Sequence, residues 1–245
     1  MTQRCRETIV RPIRIVVSTQ KSFEEFPQES LLGQSLTLAQ AHEVGLLRVT
    51  VDSRNSGSAR RGLGEVYNRY LDSADPEEIL LFVHDDVFVH DWYLARRLND
   101  AMADFDVVGV VGNTNPDFRE ASWVRADDKD AYPSGWQPEE FLSGSIGTME
   151  SEGTKVAWFG DSPQECQLLD GVFLAVNVDS LRQASVRFDE QFEFHFYDLD
   201  FCRQCIRAGL RIGTWPIAIA HKSPGRRDAN WYASKEKYFR KWGFE

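Results

Sequence analysis

The chain has 245 residues, 42% hydrophobic and 27% charged, enough to bury a full core in one large domain spanning 1–245. Its formal net charge of -10 argues against a general nucleic-acid binder, which needs a basic face to release counterions, but leaves room for a local basic pocket around one diphosphate. No apolar run approaches the roughly 20 residues that span a bilayer, and residues 1–14 hold arginines but no signal-peptide core, so a cytoplasmic protein is expected, at most peripheral to a membrane.

Residues 13–18 read as the first strand, with Ser18 and Thr19 at its end. Residues 21–29 are polar, contain Pro27 and read as loop. Ser30 is placed to cap a helix running to about Glu43, with Leu32, Leu36 and Ala39 on one face. Residues 46–51 form the second strand, ending in Asp52, and 52–58 are turn-forming. The next helix opens at Gly62, since Leu63, Val66, Tyr67, Tyr70 and Leu71 recur at i, i+3, i+4, i+7 and i+8. Pro76 ends it, and a strand follows. The order β-α-β-α-β calls for a parallel sheet with right-handed crossovers.

That third strand, Leu80-Leu81-Phe82-Val83, is a continuous apolar run buried on both faces. It ends in His84, Asp85 and Asp86. Two adjacent carboxylates at the carboxyl end of a buried strand repel each other and lose hydration, which a divalent cation offsets. In open α/β sheets that edge is also where ligands bind. Asp91 is better placed than either to cap the next helix, 92–103, which leaves Asp85 and Asp86 free for function.

A fourth strand covers 107–111. From 112 to 167 the periodicity fails, and the stretch carries prolines together with Trp123, Tyr132, Trp136, Phe141 and Trp158. Loops this long are usually functional. The rings either line an acceptor groove or form a satellite core. Order returns in the strand 168–176, which carries Asp170 and Gly171 near its start. Asp198 is positioned as the N-cap of a helix through Ala208, and Gly209 as its C′ residue. A last strand, 212–220, is interrupted by Pro216 and runs into His221. Cys5, Cys166, Cys202 and Cys205 do not form a disulfide framework. The Cys202/Cys205 pair has no second half for zinc and reads as buried core thiols.

Four segments together resemble the inverting GT-A glycosyltransferases of family 2, in the bacterial branch where His-Asp-Asp replaces Asp-x-Asp. They are the opening β-α-β with Asp52, Arg61-Gly62-Leu63 with Tyr67-Asn68, Phe82 to Val87, and Phe196-Tyr197-Asp198-Leu199-Asp200-Phe201 with Ala208-Gly209. His84 stands where the family has its first Asp, and Tyr197 stands where it has Glu. The segment typical of processive synthases is absent, which favours single addition. The resemblance implies an α/β GT-A fold, Rossmann-like with a mostly parallel central sheet. Residues 12–111 would form a nucleotide-sugar half and 112–245 an acceptor half.

It also implies the chemistry. An acceptor hydroxyl attacks the anomeric carbon of a nucleotide-diphosphate sugar, so a carboxylate must take its proton, and a cation must offset the charge on the leaving diphosphate. By resemblance Asp86 ligates Mn²⁺ or Mg²⁺, with His221 as a second ligand, Asp85 supports the site and His84 lies near the ribose or diphosphate. Asp198 is the base, and Asp200 holds the helix start or an acceptor hydroxyl. Ser18, Asp52, Asn68 and Gly171 complete the donor pocket, and Arg60 and Arg61 face phosphate or solvent. The implied partners are a nucleotide-sugar donor, UDP-linked as first choice, and a saccharide or other hydroxyl acceptor. Two rivals stand beside this reading. A metal-dependent nucleotidyltransferase needs a Gly-rich phosphate loop that Ser18-Thr19-Gln20-Lys21-Ser22 lacks. A non-catalytic carbohydrate-binding protein fits the His84 and Tyr197 departures but not the retention of Asp85, Asp86, Asp198 and His221.

Overall fold

The computed structural model describes residues 10–115, 119–126, 133–151, 153–223 and 227–244. Cys5, Tyr132 and Pro224-Gly225-Arg226 lie outside the described residues. In chain order the elements are β1 (Ile13–Ser18), α1 (Phe26–Glu29), α2 (Leu31–His42), β2 (Leu47–Asp52), α3 (Leu63–Ser73), β3 (Ile79–Val83), β4 (Val87–Val89) and α4 (Leu94–Ala101). Then follow β5 (Val107–Gly109), β6 (Val111–Asn113), β7 (Leu142–Glu150), β8 (Gly153–Gly160), β9 (Gln164–Glu165), β10 (Leu168–Leu169) and β11 (Phe173–Asn177). The chain closes with α5 (Val178–Gln183), α6 (Tyr197–Arg207), β12 (Ile212–Thr214), β13 (Ile219–His221) and α7 (Ala229–Trp242). No described helix is long and apolar enough to cross a membrane.

The strands form two mixed sheets. The larger has the order β2-β1-β3-β11-β5-β12-β9, and the pairings make five of its seven strands, β2, β1, β3, β5 and β12, run the same way. β3 sits inside it with every residue buried, as a continuous apolar run requires. The smaller sheet has the order β10-β6-β7-β13-β4, with β8 paired to β7.

The chain passes directly from one sheet to the other six times: β3 to β4, β5 to β6, β8 to β9, β9 to β10, β10 to β11 and β12 to β13. Three runs that read as single strands in the sequence, 107–111, 168–176 and 212–220, are therefore each split. Both halves of each run are largely buried, so no polar alternation marks the break. The 112–167 stretch is not all loop, because β7 and β8 form a long hairpin within it. Residues 26–29 make one helical turn where loop was expected, with Pro27 at its first turn.

Caps explain the helix starts. Ser30 Oγ accepts from Gly33 N at 2.9 Å, as its position in the sequence suggests. Asp91 does not cap α4, which begins at Leu94. Its carboxylate accepts from Tyr93 N at 2.9 Å and pairs with Arg97. The open N–H groups of α4 go instead to the buried Glu43, which accepts from Ala95 N at 2.6 Å and Arg96 N at 3.3 Å. Nor is Asp198 an N-cap. The N-cap of α6 is Phe196, in the left-handed region at φ 68, so Asp198 falls in the first turn. That conformation is costly for an aromatic residue and persists because packing determines it. The buried Phe196 ring lies 5.2 Å from both Trp231 and Tyr238 of α7. α7, which the sequence reading does not identify, is capped by Asp228 through Trp231 N at 3.0 Å.

Candidate active site

The crossing from β3 to β4 carries His84, Asp85 and Asp86 out of the larger sheet. In the smaller sheet β13 pairs with β4 so that His221 stands opposite Val87. Topology thus brings together residues 135 positions apart: His221 Nε2 lies 3.1 Å from Asp86 Oδ1. One ligand atom each from His84, Asp86 and His221 falls within 4.8 Å of the others. Two imidazoles and a carboxylate converging in this way suit a divalent metal. Burial works to raise the Asp86 carboxyl. The His221 hydrogen bond and the nearby imidazoles outweigh it and hold Asp86 below the ordinary carboxylate range. Burial, then His221, pushes His84 down, which keeps it neutral as a ligand must be.

His84 is oriented from behind. Its Nε2 lies 3.1 Å from the Tyr197 hydroxyl, which donates to the Gly171 carbonyl at 2.8 Å. The single phenolic proton is thus used, so the contact calls for a hydrogen on His84 Nε2 and leaves Nδ1 as the ring's open nitrogen. Tyr197 was a departure from the family pattern in the sequence; in the structure it fixes the tautomer of the other departure, His84.

Asp198 lies beside this chain of contacts. Its Oδ2 accepts from Gly171 N at 2.8 Å and its Oδ1 from Leu199 N at 2.9 Å. Burial first, and then the charge of Asp170, outweigh these bonds and push its carboxyl up to about 7. Asp170 is held by Trp123 Nε1 at 2.7 Å and Val172 N at 2.8 Å. Trp123, from the irregular stretch, is therefore a buried prop for the site and not an exposed ring.

Gly171 is where Tyr197 and Asp198 converge. A Cβ there would stand 2.3 Å from the Tyr197 hydroxyl and 2.8 Å from Asp198 Cβ. Gly171→Ala is expected to displace both side chains, destabilise the fold by about 1–3 kcal/mol and lower turnover about 10²-fold. A thermal melt and a rate measurement on the same sample check this, and near-normal turnover would remove Gly171 from the site.

The other expected residues fall into two groups. Asp85 accepts from Thr19 Oγ1 at 2.5 Å and its carbonyl accepts from Leu32 N at 3.2 Å, so it joins the end of β1, the start of α2 and the 84–86 turn. Ser18 Oγ accepts from Asn55 Nδ2 at 2.8 Å, at the same sheet end. Asp52 and Asn68 are not brought to the histidine cluster. Buried Asp52 pairs with Arg61 at 2.8 Å and Arg69 at 2.6 Å. Buried Asn68 is engaged at both ends of its amide by Phe188 and Glu190, which holds α3 to the 188–190 turn. Asp200 holds neither the helix start nor an open hydroxyl site. It is fully buried and accepts from Lys241 Nζ and Trp242 Nε1, both at 2.9 Å, which clamps α7 to α6. Cys166, Cys202 and Cys205 are buried free thiols, as expected, and burial raises all three. Phe194 was not singled out in the sequence. It is exposed and stacks on His84 at 6.0 Å.

A mixed α/β sheet with an acidic turn at the end of its central strand β3 is the architecture of the GT-A transferase fold. The chain belongs to the glycosyltransferase like family, whose profile matches residues 13–241. The catalytic domain of Drosophila β1,4-galactosyltransferase 7 in complex with xylobiose is similar in structure, with a TM-score of 0.51 at 10% identity over 92% of this chain and 80% of that one. A mutant of the Drosophila enzyme in complex with manganese, UDP-Gal and xylobiose gives 0.48 at 11% identity, over 84% of this chain and 65% of that one. GalNAc-T7 with UDP, GalNAc and Mn²⁺ gives 0.49 at 9% identity, over 92% and 46%. No curated protein matches the sequence. At such identities the likeness is one of fold.

Proposed function

We propose that the protein is a metal-dependent, inverting glycosyltransferase of the family 2 kind. It moves a sugar from a nucleotide-diphosphate donor, UDP-linked, to the hydroxyl of a saccharide or similar acceptor. The reading rests above all on one arrangement: Asp198, with its carboxyl raised to about 7, is joined through Gly171 and Tyr197 to the His84, Asp86 and His221 cluster.

His84 Nδ1, Asp86 and His221 would hold the cation. Two imidazoles favour Mn²⁺ over Mg²⁺, which prefers oxygen shells. The cation supplies positive charge to the departing diphosphate. Asp198 takes the proton of the attacking hydroxyl, and the N–H groups of Gly171 and Leu199 fix its orientation without using all its lone pairs. Ser18, at the end of β1, and Asp85, just after β3, face the donor. Asp52 and Asn68 act at one remove, by setting Arg61 and the 188–190 turn. The exposed Phe194 ring offers a platform over His84 for a sugar or base.

The test is a panel of nucleotide sugars incubated with Mn²⁺, with and without saccharide acceptors, followed by NMR of the product. Consumption of one UDP-sugar with inversion at the anomeric carbon is expected. Release of pyrophosphate from a nucleoside triphosphate would point to the nucleotidyltransferase instead. The pH profile is a second check. The base works ionised, so kcat/KM should rise with pH through about 7. An acid limb near 4, the ordinary Asp value, would mean that another group takes the proton.

A further inference from the structure

A cleft of about 190 Å³ lies between the β7–β8 hairpin and the segment joining β12 to β13. Trp158 and Trp215 line it, together with Ser145, Asp161, Ser162 and Pro216. It is separate from the histidine cluster. Trp158 pairs with Ser145 across the hairpin, and His221 pairs with Thr148. Ser145 and Thr148 are three residues apart on one strand, so Trp158 and His221 project from opposite faces of the smaller sheet.

Trp158 is 69% exposed, and Val156, two residues earlier on the same face, is 65% exposed. A large ring left in water across from a serine is a cost the fold did not need to bear, because a polar residue at an outward strand position would serve as well. The cleft also carries hydrogen-bonding capacity. Asp161 is exposed, and the Ser162 hydroxyl oxygen is buried without a hydrogen-bond partner among the described residues. Among the described residues that line the cleft there is no Lys, Arg or His, and the one ionisable side chain is acidic. That lining disfavours phosphate, nucleotide and other anionic ligands. A ligand that stacks apolar C–H faces on indole rings, donates hydroxyls to a carboxylate and carries no charge is a neutral saccharide.

We infer that this cleft is a glycan-binding site on the face of the smaller sheet opposite the metal cluster. Resting on the transferase reading, its role is to tether an extended acceptor glycan so that the end to be modified reaches Asp198 at raised effective concentration. Such a tether adds affinity for long acceptors and nothing for short ones.

The test uses the full protein with EDTA present, so that metal-dependent donor binding is silent. Neutral oligosaccharides, including xylo-, malto- and chito-oligomers, are screened on a glycan array and then titrated by tryptophan fluorescence. Binding of a neutral glycan is expected, weakened about tenfold by Trp158→Ala, the worth of one stacking contact. Asp161→Asn should also weaken it. In transfer assays Trp158→Ala should raise KM for long acceptors about tenfold and leave short acceptors unchanged. Binding that depends on Trp158 in a protein without transfer activity would uphold the site and discard the transferase reading. Transfer activity without glycan binding, or with KM equally insensitive to Trp158→Ala at every acceptor length, would overturn the site and leave the transferase reading standing.

Discussion

Asp198→Asn is expected to cut turnover about 10²- to 10⁴-fold while donor affinity survives, because the amide cannot take a proton. The loss should fall on kcat, as for an interaction made only in the transition state. A purely structural role as helix cap is no longer a rival, since Phe196 occupies the N-cap. The variant also carries a signature in stability. The Asp198 carboxyl is raised in the folded protein, so between about 4 and about 7 the folded state holds a proton that the unfolded state has released. Wild-type stability therefore falls as pH rises through that window. Asn removes the charge and with it this slope, though it can accept from only one of the two N–H groups that Asp198 serves. The difference in Tm between variant and wild type should accordingly move in the variant's favour from pH 4 to pH 7. A folded variant with near-normal transfer would end the base assignment and shift attention to Asp170.

Asp86→Ala should abolish metal-dependent stabilisation. A ligand at 100 times its Kd adds about 2.7 kcal/mol to an intact site. Thermal melts of wild type with Mn²⁺ and UDP should show a gain of that order, and the variant almost none. His221→Ala should behave alike, because the two side chains meet at 3.1 Å. His84→Ala extends the series to the third ligand. A full shift retained in Asp86→Ala would place the cation elsewhere.

Much of the fold was legible in the sequence because its first half obeys simple periodicities. β1, α2, β2, α3 and β3 fall where alternation, helical spacing and the Ser30 cap put them. The sequence singles out Asp85, Asp86, Asp198 and His221 because charged residues at the ends of buried strands and helices have few structural reasons to be there, and the fold brings Asp86 and His221 to 3.1 Å. What stayed hidden depends on long-range pairing. No local pattern shows that 107–113 serves two sheets, or that the acceptors for α4 come from Glu43, 52 residues earlier. The family pattern cast His84 and Tyr197 as departures, and their mutual hydrogen bond is visible only once β3 and α6 are packed together. Asp52, Asn68 and Asp200 show why a buried polar group and a ligand-binding one are spelled alike in a sequence: each is engaged by protein partners that only the packed fold brings to it.

The six passages between sheets bear on which changes in length the chain can absorb. Each is only a few residues long and is pinned by hydrogen-bonded strands on either side, in two different sheets. One added residue there has no slack to take it up, and a one-residue slip turns every following strand side chain to the other face. Insertions and deletions should therefore be barred from 84–86, 110, 161–163, 166–167, 170–172 and 215–218. Among the described strands β8 pairs only with β7, so the connection between these two can lengthen without moving His84, Asp86 or His221.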